Sequence, residues 1–144
     1  MTTPPLAEVP IRSAAELTER WSTVLDPPVF GGRSLWIMWL DYDGRMFPVV
    51  VPIDDLPRLP DNSIVSGLLA VHEGVAEEHL GGGGHVALAL CRPGRPQVTD
   101  DDDAWVGVLS EVLDDRLDGG WSLHLVAAGR VTALIDPPSD FRRS

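Results

Sequence analysis

Residues 34–53, SLWIMWLDYDGRMFPVVVPI, decide how the rest of the chain is read. Two apolar runs, rich in branched and aromatic side chains, flank Tyr42-Asp43-Gly44. That is the composition of two strands joined by a tight turn. Pro48 and Pro52 are four apart, so their missing N–H groups fall on one side of the second strand. A strand without those donors belongs at a sheet edge or carries a bulge.

Upstream of the hairpin, Ile11, Ala14, Leu17, Trp21, Val24 and Leu25 recur every three to four positions, which predicts an amphipathic helix over 11–25. Ser13 is placed to cap it, Glu16 sits in the capping-box position, and Asp26-Pro27-Pro28 stops it. Downstream, a loop over 54–62 leads into a second helix over 63–80. Ile64, Leu68, Val71 and Val75 form one stripe of that helix, with Val65, Leu69, Ala76 and Leu80 beside it. Gly81–Gly84 end it, and HVALALC (85–91) reads as a short buried strand. A Pro/Gly/Arg loop then reaches Thr99, the cap of a third helix whose first turn is Asp100–Asp103. Negative charge there meets the positive end of the helix dipole. Trp105, Val108, Leu109, Val112 and Leu113 give its core stripe, and Gly119-Gly120 closes it. Strands over 121–128 and 131–135 make a last hairpin around Gly129-Arg130. No repeat or linker splits the chain. The expectation is one α/β (α+β) domain over 11–136, in the order α-β-β-α-β-α-β-β, with a mixed central sheet flanked by helices. Residues 1–10 read as an arm and 137–144 as a tail.

The composition narrows the function classes. A chain of 144 residues suits one domain, large enough to bury roughly two thirds of its unfolded surface. Acidic residues outnumber basic ones 22 to 11 for a net charge of −11, and every basic residue is arginine. No basic footprint for nucleic acid is present. Without lysine there is no Walker lysine, Schiff base or Ser-Lys pair. The longest apolar run, Met46 to Ile53, falls well short of the ~20 residues of a membrane span. The N-terminus lacks the basic and apolar regions of a signal peptide, and a lone Cys91 excludes an internal disulfide. The expectation is a cytoplasmic protein with no membrane partner.

Each group that could carry chemistry has a plainer role. Gly81–Gly84 follow a helix and precede a strand, the reverse of a phosphate loop, so they read as a connector. His72 and His79 are seven apart on the second helix, too distant to share one zinc, and with Glu73 and Glu77 they read as a solvated face. Asp100–Asp103 lack the alternation of a calcium loop. Cys91 has no histidine near it in sequence to activate it. His124 alternates with Leu123 and Leu125, so it faces opposite to them, as packing or surface.

The element order, with LWIMWLDYDGRMFPVVV as its hairpin and SLHLVAAGRVTALI as its closing strand pair, resembles the JAMM/MPN metalloprotease-like fold and its RadC-like bacterial branch. That fold belongs to the same broad class as the cytidine deaminases. The resemblance implies a zinc site made by two strand-end histidines and an aspartate at the next helix start. Cys91 falls on the first histidine position, Pro93 on the second, and Thr99-x-x-Asp102 on the Ser-x-x-Asp. A catalytic zinc wants three protein ligands and an open position, and Cys91 and Asp102 offer two at most. The resemblance therefore implies no catalytic residue, no metal and no cofactor, in a domain that binds or scaffolds an unidentified protein partner. Arg92 and Arg95, in the loop of the lost site, suit a partner's carboxylate. Exposed tryptophans, among the five present, would favour a homodimer. The alternative is a divergent hydrolase with a zinc site rebuilt from Cys91, Asp102 and His85 or His124. Nucleic-acid binding, by analogy with the DNA-repair association of RadC, conflicts with the net charge of −11.

Overall fold

The computed structural model describes residues 10–41, 44–79, 84–117 and 120–137. The elements are α1 (Ala14–Val24), β1 (Ser34–Leu40), β2 (Met46–Asp54), α2 (Asn62–His79), β3 (His85–Cys91), α3 (Asp100–Leu117), β4 (Trp121–Ala127) and β5 (Arg130–Ile135). The expected arm and tail, Gly81–Gly83 and Gly119 lie outside the described residues, apart from Pro10 and Pro137.

The five strands form one mixed sheet in the order β2-β1-β3-β4-β5. The tight β1·β2 and β4·β5 connections give antiparallel pairs, and β1 also runs antiparallel to β3. Between β3 and β4 the chain returns through α3, so those strands pair in parallel, as a helical crossover requires. β2 is an edge strand, and its pairing shifts between Met38 and Leu40. The prolines of residues 34–53 thus mark both an edge and an irregularity.

Strand alternation sends two sets of side chains to opposite faces. Leu35, Ile37, Trp39, Val86, Leu88, Leu90, Leu123 and Leu125 meet Val65 and Leu68 of α2 and Trp105, Leu109 and Leu113 of α3. Met38, Leu40, Ala87, Ala89, Cys91 and Val126 meet Leu17 and Trp21 of α1. The helices therefore cover both faces, two on one side and one on the other. Small residues on β3 let α1 approach closely. Covering both faces is why β3 reads as a continuous apolar run.

Local signals set the helix ends. Ser13 Oγ accepts from the Glu16 N–H at 3.1 Å, and Glu16 Oε1 accepts from the Arg12 N–H at 2.7 Å. The helix is shorter than the 11–25 expected: Ile11 precedes it, fully buried, and donates its N–H to Gly44 O at 2.7 Å. α2 is turned relative to the expected stripes. Val71 is exposed, whereas His72 is half-buried and accepts the Trp39 indole N–H at 3.3 Å. His72 is thus part of the packing between α2 and β1, not of a solvated face. Indole N–H groups tie other elements too: Trp105 donates to Arg58 O at 3.1 Å and Trp121 to Asp114 Oδ1 at 2.9 Å.

Candidate functional site: the β3–α3 junction

β3 is buried along its whole length, so whatever follows it emerges from the centre of the sheet. Cys91, its last residue, faces α1. Arg92, one residue on, faces α3. The loop over 92–99 folds around the Arg92 guanidinium, and Gly94 turns it with φ +96, a conformation that favours glycine. Arg92 Nη1 donates to Pro93 O at 3.1 Å and Arg95 O at 2.8 Å, and Nη2 donates to Gln97 O at 2.8 Å. Nε and Nη2 grip Asp102 as a fork, at 2.8 Å to Oδ1 and 2.7 Å to Oδ2. All the N–H donors of the guanidinium are engaged.

Asp102 is fully buried in the first turn of α3. Thr99 and Asp102 cap the helix reciprocally: the Thr99 N–H donates to Asp102 Oδ2 at 2.9 Å, and the Asp102 N–H donates to Thr99 Oγ1 at 3.2 Å. Burial alone would raise the Asp102 carboxyl, but the hydrogen bonds and charge of Arg92 and the bonds from Thr99 outweigh it and hold the group below its ordinary value. On the outer side of the same turn, Asp101 Oδ2 pairs with Arg58 Nε at 3.2 Å.

The expected site residues do not converge on an ion. Cys91 is fully buried against α1, on the opposite face from Asp102. Burial pushes its thiol up to about 12, slightly offset by a bond with Ser34, so it is no thiolate at neutral pH. His85 is at the far end of β3, about 20 Å from Cys91 along an extended strand. His124 shares the face of Cys91 but bonds Thr18 of α1, Nε2 to Oγ1, at 2.9 Å. Among the described residues no group of three or more His, Cys, Asp or Glu could hold a metal ion. The rebuilt zinc site of the alternative reading is therefore not assembled.

Two other expectations need correction. Arg92 is 2% exposed with its donors saturated, so it cannot reach a partner's carboxylate; Arg95 beside it is exposed. A buried guanidinium cannot shed its proton, and the loop has closed around it instead. Trp21, Trp39, Trp105 and Trp121 are buried and Trp36 is half-buried, so the tryptophans fill the core and supply no exposed interface.

A second polar cluster escaped the sequence reading. Beneath α1, His85 Nε2 bonds Ser122 Oγ at 2.9 Å, beside His124 and Thr18. His85, Ser122 and His124 are at most 1% exposed, sealed from any substrate. Desolvation lowers both imidazoles to about 4, with His124 disfavouring charge on His85 and Asp136 favouring it on His124. The available signal was the polar alternation Ser122/His124 on β4, which equally fits a wet face.

No helix among the described residues is long and apolar enough to cross a membrane. Comparison of the chain with models of protein families, with curated proteins and with solved structures finds no match.

Proposed function

We propose that the chain is a catalytically inactive JAMM/RadC-like domain that serves as a cytoplasmic protein-binding or scaffolding module. The observation that carries the reading is the saturation of Asp102. At the positions that correspond, by resemblance, to the family's zinc site, the Arg92 fork takes both oxygens of the one surviving acidic ligand. A fixed cation of the chain itself balances the carboxylate that would face a metal. Without a metal, water keeps its high pKa and provides no nucleophile. The order of elements, with the β3 end leading into a Thr-x-x-Asp helix start, supports the resemblance. Exposed Arg95 remains as the group at this junction suited to a partner's carboxylate.

Metal analysis of tag-free protein after zinc incubation and desalting tests the first half of this reading. Retained zinc far below one ion per chain is expected; near-stoichiometric zinc would overturn it. Crosslinking and pull-down with Arg95→Glu tests the second half. Loss of a partner is expected, and an unchanged set of partners would remove Arg95 from the docking surface.

A further inference from the structure

α1 lies on the sheet as a separable piece. No strand ladder passes through it, and the core that α2 and α3 build with the sheet is on the opposite face. Among the described residues the backbone of 10–25 bonds the rest of the chain once, from the Ile11 N–H to Gly44 O. Side chains add to that hold: Leu17 and Trp21 by apolar contact, Arg20 Nη1 through Met46 Sδ at 3.6 Å, and Thr18 through His124.

The bond to His124 has one arrangement. Thr18 commits its hydroxyl proton to Ala14 O at 3.2 Å, so its oxygen accepts from the His124 Nε2–H. A second proton on the ring must then go to Nδ1, which has no hydrogen-bond partner among the described residues. Protonation therefore puts a charge and an unmatched donor between helix and sheet. His85 is on the same face, two residues from Ala87, and charge on His124 opposes charge on it. Burial holds both imidazoles near 4. Little else that faces the cluster would offset the new charge. Arg20 of α1 is itself a buried cation, and the Cys91 thiol on β3 is neutral. Glu16 and Glu19 of α1 and Asp136 beyond β5 are exposed, with Asp136 favouring charge on His124.

We propose that α1 is an acid-released cover: protonation of His124 and His85 lifts it from the sheet while the strands and the α2/α3 core stay folded. Release lets both rings take their protons in water, so acid favours the open form. The face laid open is apolar, with Met38, Leu40, Ala87, Ala89 and Val126. The opposite core has no part in the change, because its side chains meet α2 and α3 alone. This assignment stands independently of the reading of the β3–α3 junction.

Cys91, fully buried on the α1 face, is a built-in reporter of release. Its labelling by 2,2′-dithiodipyridine, a disulfide that reacts with thiols in acid, is read against a free cysteine peptide at the same pH. From pH 7 to pH 5 the normalised rate is expected to rise at least about tenfold. At pH 5 it should depend only weakly on urea, because lifting one helix exposes far less surface than unfolding the chain. Hydrogen exchange at pH 5 should place the opening in 14–24 while β3 keeps its protection. His124→Gln leaves His85 alone to titrate and should make the rise at least about threefold smaller. If that variant misfolds, the urea dependence of the wild type decides. No rise in the wild type overturns the proposal. So does a rise that follows the full denaturation slope, or one that a folded His124→Gln leaves unchanged.

Discussion

Two buried polar clusters lie on opposite faces of the same sheet, and they meet the cost of burial in opposite ways. On the α3 face, Arg92 and Asp102 keep their charges and gather a complete set of partners, from three loop carbonyls to the Thr99 N–H. On the α1 face, His85 and His124 give up charge and settle for Ser122 and Thr18. The chemistry of the side chains explains the split. A guanidinium cannot be neutralised, so burying it requires a counter-charge and a loop shaped around its donors. An imidazole can be neutralised, so one hydroxyl suffices. The first cluster therefore fixes backbone shape, and the second ties the stability of the protein to pH.

Acid attacks the second cluster hardest, and here the largest effect is expected. Both imidazoles titrate near 4 when folded and near 6.5 when free. Between those values the unfolded chain binds more protons, so lowering the pH favours unfolding. Stability is full above pH 6.5 and falls toward pH 4, by roughly 3 kcal/mol for each histidine. Urea denaturation across that window measures the slope, and His124→Gln should remove about half of it. An unchanged slope in His124→Gln would mean that His124 is not held neutral beneath α1.

Asp102→Ala attacks the first cluster. It strands the Arg92 charge in the interior and removes half of the α3 cap, at an expected cost of about 3–5 kcal/mol. Replacing both partners, Arg92→Met with Asp102→Leu, removes the stranded charge and should cost less than Asp102→Ala alone. Denaturant midpoints of the wild type and both variants decide the matter. A double variant as unstable as the single would show that the loop carbonyls, not the counter-charge, dominate the junction.

These clusters also show where the sequence stops being legible. Ser13, Glu16, Thr99 and Asp102 act within a few residues of themselves, so the starts of α1 and α3 could be read directly. The hairpin composition of residues 34–53 likewise implied β1 and β2. Alternation on β4 gave two unlike faces, yet nothing local told whether Ser122 and His124 met water or a helix. α1 covers them from more than a hundred positions upstream. Arg92 failed for a related reason: a charged residue in a Pro/Gly loop reads as surface, and only the path of that loop around the guanidinium buries it. Val71 and His72 show the same limit on a smaller scale, since helical periodicity fixes a stripe but not which of two adjacent stripes meets the sheet.

The smallest effect sharpens the comparison from the side of α1. Thr18→Val keeps the shape of the side chain and removes the hydroxyl, leaving His124 Nε2 without its partner at 2.9 Å. His124 Nδ1 already has no hydrogen-bond partner among the described residues, so the ring then sits in the interior with neither nitrogen bonded to them. The expected cost is about 1–2 kcal/mol near pH 7. That is less than Asp102→Ala because the group left unmatched is neutral. It should also remain at pH 8, where the imidazole is neutral in the folded and the unfolded chain alike. Thermal melts of Thr18→Val at both pH values check this. No loss at either pH would mean that α1 is held to the sheet by its apolar stripe without help from the polar cluster.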